Sequence, residues 1–443
     1  MLPILSRSRS VAIPSQGDRL YLAEGLSPQR TFESNADGQT RMERAAFYLS
    51  WMSAVSIVFS IALSQILLGL ALVTVLASGR RLQFPPIKLP LALFFIITVL
   101  AVLMSPDPYG GLPQIRKFFV FGIVLVVFNT FNSLQHIRSL LLGWTGVALL
   151  SAVASFIQLW HRHRLALEQN ANDYGFYLDG RITGFASHWM TFGAEQMIVL
   201  LLLLSYVLFS PERKGRATAI VTLPVLWLSL VFGLTRSIFL LGIPAGVLYL
   251  LWNRKRRVVG GLTVAIALIS IAAPFQVRDR VVSVIKPHKE VDSNLRRVIM
   301  VRAGWAMVKA HPWLGLGPEQ VGPQFMSYVP KDVVRPLPKG WYGHLHNVYL
   351  QYAAERGIPA LLAMMWLIGK VLRDFSASLR SGHLEPKAVY FVHGAIAAIV
   401  AILVEGLFEY NLGDSEVLTM FLIIVSGGYL AIKDMHPREA LRT

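Results

Sequence analysis

Apolar stretches of bilayer-spanning length follow one another along most of the chain, separated by short polar or basic turns. A helix needs about 20 mostly apolar residues to cross the hydrocarbon of a membrane. The run 47–78 is too long for one such helix and has no charged break, so a turn near Ser60 to Ser64 divides it into two short helices, 47–61 and 63–78. Further spans are predicted at 88–104, 117–131, 137–159, 191–209, 217–233, 237–252, 258–275, 347–369, 388–405 and 416–432. The pattern predicts an all-α polytopic membrane protein of about 12 transmembrane helices, with one large loop between the ninth and tenth. No internal repeat is visible.

Composition fits that pattern: 54% of the 443 residues are hydrophobic and only 15% charged, unlike a soluble globular protein. A net charge of +17 would suit nucleic acid, but the basic residues sit in short clusters between apolar runs. That is the positive-inside arrangement of a membrane protein, and no nucleic-acid partner is expected. The clusters Arg80-Arg81, Arg213-Lys214, Arg254 to Arg257 and Arg373 to Lys387 all fall on one side of the alternation. This predicts a multi-pass inner-membrane protein with both termini in the cytoplasm. The expected division is a mobile cytoplasmic tail without a cleaved signal at 1–44, nine helices in 45–275, an outer loop at 276–346, three helices in 347–432 and a basic tail at 433–443. With no cysteine, disulfides, thiolate catalysis and Cys-based metal sites are excluded.

The outer loop departs from the charge rule. Residues 276–345 hold eleven Lys and Arg, Arg302 among them, against five Asp and Glu, a net +6. Long loops translocate whatever their charge, yet such a surface also suits a substrate with phosphate charge. Within the loop, 295–310 is predicted to form an amphipathic helix with Val298, Val301, Trp305 and Val308 at helical spacing and Asp292 or Ser293 as cap. Asn347, Gln351 and Glu355 are spaced i, i+4, i+8, a polar stripe about 12 Å long on the tenth span. Polar groups inside a membrane helix usually face a cavity, so the stripe is expected to line a cleft. An alternative partner for Glu355 is Arg356, at a bend near Gly357-Ile358-Pro359.

Several motifs together resemble the O-antigen ligase/polymerase superfamily. Arg297 is followed fourteen residues later by His-Pro-x-x-Gly-x-Gly (His311, Pro312, Gly315, Gly317), then by His-x-His-Asn-x-x-Leu-Gln with Glu and Gly downstream (His344, His346, Asn347, Leu350, Gln351, Glu355, Gly357). Arg181-Ile-Thr-Gly and Thr235-Arg236-Ser237 look like the family's earlier outer-face Arg motifs, and Phe408 to Leu412 like its late motif, with Glu409 where Asp is more common. Only 297–357 is specific; 1–44 has no counterpart.

The resemblance implies an enzyme that passes a glycan from a polyprenyl diphosphate carrier to a hydroxyl of a glycolipid, another glycan or a protein, with no metal or nucleotide cofactor. By match, His346 is the base, with Arg297 and Arg236 on the diphosphate and Arg181 a third candidate. Arg302, His344, Asn347, Gln351, Glu355 and Glu409 are the remaining substrate-binding candidates, and Glu409 or Asp414 would orient His346. Histidine suits a base near neutrality, and guanidinium groups suit a leaving diphosphate. Lipid A–core is the first acceptor expected. The rivals are a polymerase of carrier-linked repeat units, a protein O-oligosaccharyltransferase and, from another class, a transporter or flippase. A transporter would show repeated halves with broken helices.

Overall fold

The computed structural model describes residues 28–79, 81–170, 174–254, 294–338 and 340–433, with side chains from Arg41 onward. The expected span 258–275, the caps Asp292 and Ser293, Arg80, the basic run 255–257, the tail 1–27 and residues 434–443 lie outside the described residues. Residues 1–41 form a unit of their own, described only as the first part of a helix, and everything below concerns residues from Met42 on.

All described elements are helical. In order they are α1 (Pro28–Ser56), α2 (Ile61–Ala77), α3 (Lys88–Leu103), α4 (Pro108–Arg116), a 3-10 turn (Lys117–Phe121) leading into α5 (Gly122–Thr130), α6 (Leu134–Glu168), α7 (Tyr174–Asp179), α8 (Trp189–Phe209) and α9 (Arg216–Phe232). A π-helical turn (Ser237–Gly242) opens α10 (Ile243–Trp252). Then come α11 (Asn294–Ala310), α12 (Val321–Tyr328), α13 (Val348–Ser381), α14 (Pro386–Glu405) and α15 (Ser415–Lys433). Among the described residues five helical stretches are long and apolar enough to cross a membrane (Pro108–Thr130, α6, α8, α14 and α15). Four shorter apolar ones accompany them (α2, α3, α9 and Ser237–Trp252). The chain is therefore built as a multi-pass membrane protein.

Most predicted spans meet an observed helix, with shifted ends. The hairpin break lies at 57–60, where Ser60 Oγ accepts from Leu63 N–H at 3.3 Å and caps α2. The turn 105–111 is shorter than expected. Asp107 Oδ1 caps at once by accepting from Gly110 N–H at 3.0 Å, with Pro108 in the first turn. α6 runs to Glu168, well past the predicted 159, because nothing in His161 to Leu165 breaks a helix.

α8, α14 and α15 are buried nearly throughout and form the centre of the bundle. Gly246 lets α10 lie directly on α14, since a Cβ there would stand 3.0 Å from the Ala397 carbonyl oxygen. The outer helices turn large apolar side chains outward, among them Leu70, Val73, Ile96, Leu100, Leu150 and Val221, the face a lipid-embedded helix presents. One end of the bundle collects the basic loops: Arg138 and Lys387 both meet Glu212, and Lys370 pairs with Asp374 at 2.9 Å. The opposite end carries α11 and α12.

The predicted outer loop is not structureless. α11, α12 and the segment up to Leu345 enclose a small core of their own around Met300, Ala303, Met307, Val321 and Phe325, closed from below by Ala353 and Ala354 of α13. The buried face of α11 differs from the expected one. Val308 is buried, but Val298, Val301 and Trp305 are exposed, while Ile299, Met300, Ala303, Gly304 and Met307 face inward. Both stripes have helical spacing, so periodicity cannot choose between them. Gly304 settles it: a Cβ there would be 2.6 Å from Leu345, so this side alone lets α11 approach that segment.

The small core is fastened to α13 through backbone. α13 is interrupted at Gly357, with φ +79° and ψ 167°, shortly before Pro359. The interruption frees carbonyls that the turn 311–317 takes up. Leu316 N–H donates to Ala354 O at 2.8 Å and Gly317 N–H to Glu355 O at 3.0 Å, while Ile358 N–H donates to Pro312 O at 2.8 Å. Only glycine fits at Gly357, where a Cβ would stand 2.0 Å from the Trp313 carbonyl oxygen. The His-Pro-x-x-Gly-x-Gly motif is thus a backbone joint between the outer core and the membrane bundle.

Candidate active site

His346 sits where α13 begins. Asn347 caps that helix, Oδ1 accepting from Leu350 N–H at 2.8 Å. Its Nδ2 donates to Leu407 O at 2.9 Å, and Val348 N–H donates to Gly406 O at 2.8 Å. These bonds lay the loop after α14 against the start of α13, which brings Glu409 beside His346. His346 Nδ1 lies 2.8 Å from Glu409 Oε2. Arg297, on the first turn of α11, pairs with the other carboxylate oxygen. One buried carboxylate therefore joins residues from the outer core, the start of α13 and the loop between α14 and α15.

His346 has φ +47°, in the left-handed region. That conformation costs a non-glycine residue about 1–2 kcal/mol, and the surroundings enforce it. The N–H of His346 donates to His344 Nδ1 at 3.2 Å, and the preceding N–H of Leu345 donates to Gln351 Oε1 at 2.8 Å. A carboxylate only accepts, so with Glu409 on Nδ1 that nitrogen carries the proton and Nε2 keeps its lone pair. Burial would raise the Glu409 carboxyl, but Arg297 and then His346 outweigh it and hold it below the usual carboxylate range. Burial, reinforced by His346, pushes His344 down to about 3, so its ring is neutral and can accept from the His346 backbone.

A cleft of about 1000 Å³ opens over this pair. Of the residues singled out in the sequence, Arg181, Arg236, Arg297, His344, His346 and Glu409 line it. Arg236 stands at the mouth of the π-helical turn and donates to Asn294 Oδ1 at 2.9 Å. Arg181 donates from Nε to Leu178 O at 3.2 Å and lies over the Trp189 ring, 4.0 Å from its centroid. Asp414, also on the wall, accepts from Thr191 Oγ1 at 2.9 Å, and burial pushes its carboxyl up to about 6. Asp414 is the other orienter considered for His346; the carboxylate on the ring is that of Glu409.

Four expected site residues lie away from the cleft. Arg302 makes a two-pronged pair with Asp332 at 2.8 Å on an exposed surface. Asn347 is spent as the helix cap. Gln351 and Glu355 face the joint rather than the cleft, held there by Leu345 N–H on Gln351 and Glu319 N–H on Glu355. Glu355 Oε1 accepts from Glu319 N–H at 3.0 Å and Gln351 Nε2 at 2.9 Å, and its Oε2 meets Arg356 at 2.9 Å, the alternative partner.

The cleft also holds Arg296, Trp341, Glu405 and Glu416, which motif reading passed over, and Ser237, quoted with the Arg236 motif but given no role. The density of acids in 405–416 (Glu405, Glu409, Asp414, Glu416) was a usable signal for two of them, Glu405 and Glu416. Among the described residues no three His, Asp or Glu side chains are arranged to hold a metal ion.

Compared with protein-family models, residues 217–365 match the family described as O-antigen ligase, whose members carry out glycan transfer of the ligase or polymerase type. The match includes Arg236, Arg297 and His346 and stops short of Glu409. No curated protein matches the chain.

Proposed function

From the O-antigen ligase match as premise, we propose that this membrane protein transfers a glycan from a polyprenyl diphosphate carrier to an acceptor hydroxyl at the outer face of the inner membrane, lipid A–core being the first acceptor. The observation that carries the reading is the cleft on which Arg181, Arg236 and Arg297 stand with the His346–Glu409 pair. The acceptor O–H gives its proton to His346 Nε2 as its oxygen bonds to the anomeric carbon. The bond from that carbon to the phosphate oxygen breaks, and the diphosphate leaves with the electron pair. Glu409 fixes the ring orientation and steadies the imidazolium that forms. The guanidinium groups meet the growing charge of the leaving diphosphate, where planar donor pairs match phosphate oxygens. The basic loops at the far end of the bundle, on the cytoplasmic side by the charge rule, leave the cleft facing outward.

The test pairs genetics with chemistry. In a deletion strain of the source organism, lipid A–core should persist without polymer while carrier-linked polymer accumulates, read by size on a gel. His346→Ala should fail to restore the polymer although the protein is present and inserted, a loss of about 10²–10⁴-fold in rate. Single repeat units left on the core would replace the ligase by a polymerase. Full activity of His346→Ala and of Arg297→Ala would end the mechanism.

A further inference from the structure

The guanidinium side chains account for only part of the cleft. Glu405, the last residue of α14, also lines it and is fully buried. Its Oε2 accepts from Asn411 Nδ2 at 2.6 Å, but its Oε1 is a buried oxygen with no partner. Ser237 Oγ, at the start of the π-helical turn, is likewise buried on the cleft wall without a partner. The two elements are packed flush: a Cβ on Gly242 would stand 3.5 Å from Glu405 Cβ and 3.4 Å from Ala401 O. π-helical turns are retained mostly where they serve a site. Asp414 and Glu416 complete this part of the wall.

Buried polar atoms left unpaired in a native fold call for an explanation. Both residues line the cleft, where a ligand can supply the missing partners. The ligand must satisfy both a carboxyl oxygen and a hydroxyl, so it must carry groups that donate and accept. The acids do not converge as metal ligands among the described residues. Neighbouring hydroxyls on a sugar ring meet these demands. Glu405 and Glu409 also belong to one short segment, and Glu409 holds His346. A ring held by Glu405 thus lies near the nitrogen that takes its proton.

Resting on the glycan-transfer reading, we propose that Glu405 and Ser237, with Asp414 and Glu416, form the subsite for the acceptor sugar. Adjacent ring hydroxyls pair with the carboxyl groups, another meets Ser237 Oγ, and the reacting hydroxyl points to His346. The diphosphate occupies the arginines of the same cleft, so the two substrates are recognised by different chemistry, guanidinium groups for one and carboxyl and hydroxyl groups for the other.

The experiment uses the full chain in lipid nanodiscs, with methyl α-D-glucopyranoside as the hydroxyl-rich probe and inorganic pyrophosphate as the anionic one. Trp189 and Trp341 line the cleft and their emission reports occupancy. Glu405→Gln and Ser237→Ala should each weaken the glucoside response about tenfold, the size of one lost hydrogen bond to a charged group or its neighbour, and leave the pyrophosphate response within about twofold. Arg297→Ala should do the reverse. Ser237→Ala removes only an unpaired hydroxyl and carries little folding risk. An absent glucoside response in the unsubstituted protein, a response unchanged in both variants, or joint loss of both responses in Ser237→Ala overturns the subsite. Transfer activity separates the two readings. A protein that binds the glucoside through Glu405 but transfers nothing keeps the subsite and loses the proposed function. One that transfers while both variants bind the glucoside normally does the opposite.

Discussion

Glu355–Arg356 and Glu409–Arg297 are both acid–arginine pairs at the loop-bearing end, and they are finished differently. In the first, both Glu355 oxygens are occupied by Gln351, the Glu319 N–H and Arg356, and Arg356 reaches on to Gln114 Oε1 at 2.8 Å. Both residues are buried, and neither lines the cleft. In the second, the carboxylate is shared between Arg297 and His346, and the group opens on the cleft. A pair closed in by packing on every side holds structure, whereas a pair that lies beside space can act on a ligand. The backbone does not divide them the same way: a left-handed non-glycine residue occurs at each, His346 at the site and Glu319 at the joint, where Gly315, Gly317 and Gly357 also have positive φ.

Removing a partner from the closed pair should have the largest effect on the fold. Glu355→Ala leaves Arg356 buried and uncompensated, a loss of about 3–5 kcal/mol, which is a large share of the stability of a typical domain. The variant should melt far lower or be recovered aggregated, as size-exclusion profiles in detergent with heating would report. Normal melting would place the joint among dispensable contacts and remove the contrast.

Glu409→Gln should do the converse. It keeps the shape beside His346 but can offer an N–H to Nδ1 and select the wrong tautomer. Transfer should fall about a hundredfold or more with a modest change in melting. Collapse of the fold with this variant would mean that the open pair is structural as well.

Acid should act through the same group of side chains. The folded value of His344, about 3, is below its unfolded value of 6.5, so the unfolded chain binds the extra proton between them. Its contribution is fully present above pH 6.5 and is lost as pH falls toward 3. Glu409, held below its ordinary value, adds stability above the usual carboxylate range that is lost as pH falls through its folded pKa. His344 and Glu409 should therefore lower the melting temperature as pH falls from 6.5, with Asp414, whose carboxyl is pushed up to about 6, working the other way below that, and His344→Asn should flatten the upper part of the drop. An unchanged profile would show that His344 is not dehydrated in the folded protein.

Arg302→Ala should have the smallest effect. The Arg302–Asp332 pair is solvent-exposed and screened, so both melting and transfer should stay close to those of the unsubstituted protein, transfer within about twofold. A large loss of transfer would give this side chain back the substrate role that the sequence suggested.

The sequence by itself determined the class of the molecule. Its apolar runs dictate helices because a bilayer admits no unpaired backbone, and its basic clusters mark one side. It also announced the arginines and His346, whose spacing with the glycine motif survives as local chemistry. Tertiary structure decided which polar residues face the cleft. Gln351 and Glu355 keep helical spacing with Asn347, but the N–H groups of Leu345 and Glu319 packed against that side of α13 give them to the joint. The apolar face of α11 was ambiguous for the same reason: two overlapping stripes share one period, and only the approach of Leu345 to Gly304 selects between them. Glu405 and Ser237, distant in sequence, come to share a cleft with His346 only once α14 and the π-helical turn pack together. A one-dimensional pattern records which residues can be buried, whereas the partners left unmet after packing, on which a site depends, exist only in three dimensions.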